Sequence, residues 1–133
     1  NSPVMERRIR LRRTSDVRRV YDEGRSWTHP MVVLVARPNS LDLSRVGVSA
    51  SRRLGKAVPR NRAKRLLREA ARHLYPQIET GWDVMLIARP RILAAEMQQV
   101  EEALSRLLKR SKLFTRQGPD RTSEMPTLEE KEE

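Results

Sequence analysis

A run of cationic side chains between Arg52 and Arg72 is the part of this sequence best suited to chemistry, namely the binding of an anion. The run holds nine basic residues and a single acid, Glu69. An ordinary solvated helix face mixes both signs, because i,i+4 pairs of opposite charge stabilise it. A surface of one sign repels itself until a polyanion covers it. The run therefore favours a polyanion-binding surface over the alternative of a merely solubilising face.

The spacing of this run predicts a helix with two different faces. Asn61, Arg65, Arg68 and Arg72 follow in steps of four, three and four, which places them on one stripe. The apolar residues of the segment repeat on another stripe, as expected of a face that packs on a core. They are Ala63, Leu66, Leu67, Ala70, Ala71 and Leu74.

The start of the helix adds a second feature that attracts anions. Pro59 is typical of the first position of a helix, and Gly55 lies in the turn before it. Free N–H groups at a helix N-terminus favour phosphate, as does the helix dipole. The guanidinium of arginine can hold a phosphate by two hydrogen bonds or stack on a base. Asn61 adds an amide that can donate to a phosphate or to a ribose 2′-hydroxyl.

The overall composition agrees with a polyanionic partner and argues against other classes. The net charge is +11; residues 118–133, with six acids and two bases, contribute −4, which leaves +15 for residues 1–117. The sequence has no cysteine for disulfides or thiolate metal sites. No apolar run reaches the ~20 residues of a membrane span. A membrane partner is not expected either, because the apolar side of the basic helix is needed for the core. We expect a cytoplasmic protein.

Three helices are predicted from apolar periodicity and from capping residues. The first is expected near Ser15–Glu23, with Thr14-Ser15 as the N-cap and Gly24 at the C′ position. The second is the basic helix that starts with Pro59. The third is expected over roughly Ala94–Phe114.

Apolar and β-branched runs predict the strands Met31–Ala36, Arg45–Ala50 and Val84–Ala88. The resulting order indicates one α+β domain over residues 7–114, with helices on one main sheet. Residues 1–6 are expected to be a disordered N-terminus, and the part before Met5 resembles added sequence. Residues 115–133 are expected to form an acidic disordered tail, because they have too little apolar surface to fold.

The remaining side chains do not indicate a catalytic site on the protein. His29 and His73 are the only histidines, and neither has an acid beside it in a known catalytic pattern. We interpret His73 as a cation near the helix C-terminus or a phosphate contact. We interpret Trp27 and Trp82 as core or edge anchors beside predicted strands.

Two adjacent sequence runs resemble the protein subunit of bacterial ribonuclease P. They are RVGVS at Arg45–Ser49 and SRRLGKAVPRNRAKRLLRE at Ser51–Glu69, and the triplet Arg60–Arg62 matches the family's RNR motif. The resemblance extends from Arg10 to Lys112, about four-fifths of the chain. It implies a two-layer αβββαβα sandwich, similar to domain 2 of ribosomal protein S5, with a left-handed βαβ crossover through the basic helix.

The resemblance also implies a function. It implies an RNA-binding subunit that assists a catalytic RNA in the endonucleolytic removal of the 5′ leader from precursor tRNA. The implied partners are that RNA and the precursor tRNA with its leader. Mg²⁺ would be held mainly by the RNA, and no catalytic residue would lie on this chain. The residues expected to contact RNA are Arg52, Arg53, Lys56, Arg60, Asn61, Arg62, Lys64, Arg65, Arg68 and Arg72.

A leader cleft between the first helix and the sheet is also implied. Its residues here would be Val17, Arg18, Tyr21, Val35 and Ser49. The family tends to place aromatic residues at the positions of Val17, Tyr21 and Val35, whereas only Tyr21 is aromatic in this chain. Stacking of a base on an aromatic ring contributes about 1–3 kcal/mol. Leader binding is therefore expected either to depend more on Arg18, Arg52 and backbone contacts or to be weaker. The two valines are interpreted as core.

The alternative from another class is a ribosomal or ribosome-assembly RNA-binding protein without an enzymatic complex. Small basic α/β folds are common to both classes, so composition does not separate them. The long run centred on Arg60–Arg62 favours the ribonuclease P family.

Overall fold

The computed structural model describes residues 7–114. The predicted disordered N-terminus (residues 1–6) and acidic tail (residues 115–133) lie outside the described residues. The order of helices and strands in the described chain is αβββαβα, as the family resemblance predicts. The elements are α1 (Thr14–Glu23), β1 (Arg25–Thr28), β2 (Val32–Pro38), β3 (Arg45–Ala50), α2 (Ala57–Leu74), β4 (Trp82–Ala88) and α3 (Met97–Arg110).

The strands form one sheet in the order β1-β2-β4-β3. β2 pairs antiparallel with β1 on one side and with β4 on the other, whereas β3 and β4 are parallel. Parallel neighbours need a crossover connection, and α2 provides it between β3 and β4. The predicted α+β sandwich with a βαβ crossover through the basic helix is confirmed.

The main core lies between one face of the sheet and the pair α2 and α3. Successive side chains of a strand point to opposite faces, and every second residue of β2 (Val32, Leu34 and Ala36) is buried in this core. The predicted apolar stripe of α2 packs against them, with Leu66 and Leu74 only partly covered. The partly buried Trp27 and Trp82 also pack here, which agrees with their interpretation as anchors.

α1 lies on the opposite face of the sheet, over a smaller core. This core is made of Leu11, Val20, Val35 and Met85, with Val17, Val33 and Ile87 packed around it. Gly24 follows α1 as its C-cap residue and not at the predicted C′ position, and its φ of −82° and ψ of 169° are those of extended backbone. A Cβ at Gly24 would lie 2.4 Å from the carbonyl oxygen of Val20 and 2.9 Å from that of Ala36. Glycine is needed here because a Cβ would clash with the last turn of α1 and with the backbone of β2.

The start of each of the first two helices differs from its prediction. The N-cap of α1 is Arg13, whose side chain makes no capping hydrogen bond, and Thr14 is already helical. The predicted Thr14-Ser15 N-cap is therefore wrong. α2 begins at Ala57, so Pro59 is its third residue and not its first. Proline is tolerated there because the N–H groups of the first turn have no partner within the helix.

The last helix is shorter than predicted, and one strand was not predicted from the residues. A 3-10 turn (Pro90–Ala94) precedes α3, and a reciprocal pair of hydrogen bonds between Glu96 and Gln99 caps the helix start. The missed strand, β1, is short and mostly exposed, so it lacks the apolar run that marks a buried strand. β1 forms because its backbone pairs with that of β2.

A buried charge network fixes α1 to one end of the sheet. Asp83 of β4 is 1% exposed and accepts two hydrogen bonds from Arg45, at 2.9 Å from Nε and 2.7 Å from Nη2. Asn39 donates a third to Asp83 at 2.9 Å. Arg45 also lies 3.3 Å from Asp16 of α1. The hydrogen bond to Asp83, together with the charges of both carboxylates, raises the pKa of Arg45.

Candidate nucleic-acid interface

The solvent side of α2 presents most of the basic residues that the sequence assigned to RNA. Asn61, Arg62, Arg65 and Arg68 are exposed, and Lys64 is half-buried. The four cations of this set are Arg62, Lys64, Arg65 and Arg68. Within residues 7–114, none of them forms an ion pair with an acid. Their charges are therefore open to a ligand that brings negative charge.

The segment before α2 adds three cations. Arg52 and Arg53 lie in a 3-10 turn, in which the side chain of Ser51 accepts a hydrogen bond from the N–H of Arg53 at 3.2 Å. Gly55 has a φ of 119°, a conformation that glycine adopts readily, and it directs the chain into α2. Lys56 is the N-cap of α2 and makes no side-chain capping bond. The helix N-terminus thus adds N–H donors and a positive dipole end to these cations.

Two other arginines of the predicted set are engaged within the protein. Arg60 donates from Nε to the last carbonyl of β3 at 3.1 Å, which ties α2 to the sheet. Nη2 of Arg72 lies 2.5 Å from Oε2 of Glu69, and this hydrogen bond lowers the pKa of Glu69 and raises the pKa of Arg72. His73 contacts Glu69 and also Glu101 of α3. It thus acts as a bridge between α2 and α3.

The charge that remains unpaired on α2 is therefore concentrated away from its C-terminal turn. We call this region the α2 surface. It consists of Arg52, Arg53, Lys56, Asn61, Arg62, Lys64, Arg65 and Arg68.

A groove of about 450 Å³ opens between α1 and β3. Tyr21 of α1 lines it and is 44% exposed, which leaves an aromatic ring open to solvent. Gly47 and Ser49 of β3 form part of its floor. Arg68 of the α2 surface also lines the groove, so the two regions are continuous. The combination of an exposed ring with nearby cations suits a single nucleic-acid strand.

The predicted leader-cleft residues are only partly brought together. Val17, Tyr21 and Ser49 line the groove. Val35 is buried in the small core beneath α1, as its interpretation as a core residue requires. Arg18 is exposed on α1 but does not line the groove. A role in leader binding stays a prediction for all five.

Two arginines of this groove are not among the predicted site residues. Arg10 and Arg12 line it from the segment before α1, where the N–H of Leu11 donates to the carbonyl of Val46 at 2.9 Å. Five arginines occur within residues 7–13, and this density was the available signal. Arg10 and Arg12 also border a neighbouring depression lined by the other three. The positive surface therefore continues beyond the groove.

Other site types find little support in the described part of the chain. Across residues 7–114, no group of three or more His, Cys, Asp or Glu side chains is placed to hold a metal ion. None of the described helices has the length and apolar character needed to span a membrane.

Comparisons with known proteins agree on one family. The family profile described as ribonuclease P matches residues 5–112. The ribonuclease P protein component of Herpetosiphon aurantiacus is 44% identical over 110 residues, which cover 83% of this chain and 89% of the relative. That of Caldanaerobacter subterraneus subsp. tengcongensis is 37% identical, with coverage of 84% and 96%.

Solved structures give the same result. A mutant of the Staphylococcus aureus RNase P protein with defective mRNA degradation activity superposes with a TM-score of 0.75 at 32% identity, covering 83% of this chain and 93% of that one. The Thermotoga maritima RNase P protein gives a TM-score of 0.69 at 35% identity, covering 76% and 96%. The αβββαβα order and the cationic crossover helix agree with these matches. This chain belongs to the ribonuclease P protein family.

Proposed function

We propose that this chain is the RNA-binding protein subunit of ribonuclease P and assists a catalytic RNA in removing the 5′ leader of precursor tRNA. The observation that carries the proposal is the continuity of two surfaces, since Arg68 belongs to both the α2 surface and the groove. One surface presents unpaired cations and the other presents an aromatic ring. The first suits the phosphates of a folded RNA, and the second suits a single strand.

The α2 surface is the part proposed to bind the catalytic RNA. Its exposed arginines can each grip a phosphate with two hydrogen bonds. Neutralising RNA phosphates releases counterions, which drives binding without any need for base readout. Because these cations have no acidic partner within residues 7–114, binding requires no internal ion pair to break.

The groove is the part proposed to bind the leader. Tyr21 offers one stacking platform, while Val17 is aliphatic and Val35 is covered. Arg10, Arg12 and Arg68 surround the ring with positive charge. We therefore infer that leader binding here combines one stacking contact with several phosphate contacts. Such contacts tolerate any leader sequence, because every base has a π-face and phosphates carry no sequence information.

We assign Mg²⁺ to the RNA. Asp16 and Asp83 are held by Arg45, and Glu69 is held by Arg72. These residues do not fit a protein-borne Mg²⁺ site, which needs oxygen ligands in a near-octahedral set. We therefore propose that activation of the attacking water also belongs to the RNA partner. The protein's part is to reduce repulsion between RNA phosphates, and its place is the cytoplasm, with its RNA partners.

The alternative of a ribosomal or ribosome-assembly protein is not favoured. The family match spans nearly the whole described domain, and the relatives are ribonuclease P protein components over most of their own length.

Reconstitution tests the proposal. The chain is combined with a bacterial ribonuclease P RNA and a precursor tRNA at low Mg²⁺, where RNA phosphates are poorly screened. We expect cleavage at the mature 5′ end to become faster when the chain is added. A basic ribosomal protein of similar charge serves as the control for unspecific screening. Equal stimulation by that control, or none by this chain, would contradict the proposal.

Replacing Tyr21 with alanine is expected to weaken binding of leader-bearing precursor about five- to a hundredfold, because one stacking contact is lost. Binding of mature tRNA should change little, since it has no leader in the groove. Tyr21→Phe keeps the ring and is the matched control. Titrations of the reconstituted complex with both tRNAs give the two affinities. Equal losses on precursor and mature tRNA would show that Tyr21 only supports packing.

A further inference from the structure

A second cluster of cations lies at one end of the sheet, away from the groove. The turn between β1 and β2 contains His29, and two basic segments converge on it. Arg89, just after β4, donates from Nη1 to the carbonyl of His29 at 3.3 Å. Arg110, in the last turn of α3, donates from Nη1 to the carbonyl of Thr28 at 3.0 Å. These contacts fix the guanidinium groups of two separate elements beside the same turn.

The imidazole of His29 is oriented for donation in its neutral form. Its Nδ1 accepts a hydrogen bond from the N–H of Met31 at 3.1 Å, so Nε2 carries the proton. Burial lowers the pKa of His29, and so do the charges of Arg106 and Arg110. Arg91 and Arg89 line the same depression as the imidazole. The groups facing His29 are thus four arginines from α3 and from the segment after β4.

Acids neutralise only one arginine of this cluster in the described part of the chain. Arg89, Arg91 and Arg110 make no ion pair within residues 7–114, and Arg106 has only an exposed partner, Glu102, at 3.8 Å. The C-terminal turn of α2 shows the opposite arrangement, because Glu69 pairs there with Arg72. We call the cluster the sheet-end patch. It consists of His29, Arg89, Arg91, Arg106 and Arg110.

The sheet-end patch lies at the same end of the sheet as the start of the α2 surface. β3 and β4 are parallel, with Ala50 opposite Ala88, so the chain leaves both strands at this end. The turn before β2 is there too, because Val32 pairs with Ala88. The 3-10 turn that holds Arg52 and Arg53 packs on the turn that holds Arg91. From β3 to β1 the distance is three strand spacings, about 14 Å.

We propose that the sheet-end patch is a further phosphate-binding site, which takes the phosphodiester backbone of an RNA that continues past the α2 surface. The proposal rests on the proposed RNA-binding function. A cluster of four arginines, of which only Arg106 has an acidic partner and that an exposed one, can bind two or more phosphates. The Nε2–H of His29 is a neutral donor between them. Arg106 and Arg110 are one helical turn apart on α3, so both reach the same strand. The RNA is either the catalytic RNA or the precursor tRNA, which share this backbone chemistry.

The test uses the full chain and three variants. Arg106→Ala/Arg110→Ala removes two cations of the patch, and Arg106→Lys/Arg110→Lys keeps their charge. Arg19→Ala/Arg37→Ala removes the same charge from positions outside all the surfaces described above. Affinity is measured from low to high salt for a ribonuclease P RNA alone and, in the reconstituted complex, for a precursor tRNA.

We expect the alanine variant to bind one of these RNAs about tenfold more weakly, with a salt slope of log K that is smaller by about 1.5. The lysine variant should keep most of the slope, and the Arg19/Arg37 variant should keep all of it. Loss with the RNA alone would assign the patch to the catalytic RNA, whereas loss only with precursor tRNA would assign it to the substrate. In a pH titration followed by NMR, the ring of His29 should show a higher pKa in the RNA complex than in the free protein, because bound phosphates offset the charges of the arginines.

An unchanged slope for both RNAs would overturn the proposal, as would an equal loss in the Arg19/Arg37 variant. The proposed function has a separate readout, the effect of substitutions at Arg65 and Arg68 on the same RNAs. If those substitutions weaken binding and the patch variants do not, only the sheet-end patch is excluded. If neither set has an effect, the proposed function itself is contradicted.

Discussion

An Arg65→Ala/Arg68→Ala variant is expected to bind the catalytic RNA about ten- to a hundredfold more weakly than the unaltered chain at moderate salt. Both side chains are exposed on α2 and have no acidic partner within residues 7–114. Each lost phosphate contact should reduce the slope of log K against log salt by about 0.7–0.9. The slope should therefore fall by about 1.5 for the pair. Filter binding or fluorescence titration at several salt concentrations measures both quantities.

The stability of this variant should change little, because substitutions at exposed positions usually shift the free energy of unfolding by about 0.5 kcal/mol or less. Thermal unfolding therefore separates a binding defect from a folding defect. Lysine at both positions keeps the charge but loses the bidentate grip, so an intermediate affinity with a nearly normal slope is expected. An unaltered slope in the alanine variant would mean that this face does not contact phosphate.

Replacing Asp83 with alanine is expected to lower the free energy of unfolding by about 3 kcal/mol. Asp83 is almost fully buried and accepts three hydrogen bonds, two from Arg45 and one from Asn39. Its loss leaves Arg45 with only Asp16 and leaves the amide of Asn39 without its carboxylate partner. The side chain of Arg45 is 23% exposed, so water partly solvates its charge once Asp83 is removed. We therefore expect a loss at the lower end of the ~3–5 kcal/mol that is typical of a broken buried ion pair.

Thermal and urea unfolding measure this effect, and a fall in Tm of about 10–20 °C is expected. Arg45→Ala and the double variant complete a double-mutant cycle. The double variant should lose less stability than the sum of the two single variants, because each single variant leaves a charge without its partner. A change below 0.5 kcal/mol in Asp83→Ala, or strictly additive losses, would show that the network does not stabilise the fold.

The parts of the fold that the sequence predicted best are those governed by local periodicity. β3 was predicted with its observed bounds, Arg45–Ala50, because a polar loop precedes this short apolar segment and the basic run follows it. The apolar stripe of α2 was predicted correctly because one side of an amphipathic helix must be covered. The exact start of α1 and the role of Gly24 were not predicted. Gly24 is required by the backbone of β2, which approaches the end of α1 only after folding, and the N-cap of α1 is Arg13, a residue type that does not mark a helix start.

For the candidate site too, the features set by local spacing were predicted, and those set by contacts between distant elements were not. Charge and helical spacing predicted a cationic face on α2, and Arg62, Arg65 and Arg68 are indeed exposed there. Spacing could not predict that Arg60 is tied to β3, because its partner is a carbonyl made available by the crossover. Nor could it predict that Arg68 lines the groove, which depends on how α2 lies against the edge of β3.

The outer edge of β3 bears on how the protein avoids aggregation before RNA is bound. β3 is an outer strand, and an open strand edge can recruit a strand of a second molecule and start aggregation. The segment before α1 occupies one part of this edge, through the hydrogen bond from Leu11 to Val46. Arg60 occupies the other end at Ala50. Between them, Val48 and Ser49 are partly exposed and line the groove with its arginines. A second copy that paired there would bring like charges together, so the same cations oppose pairing of two strand edges before RNA is bound.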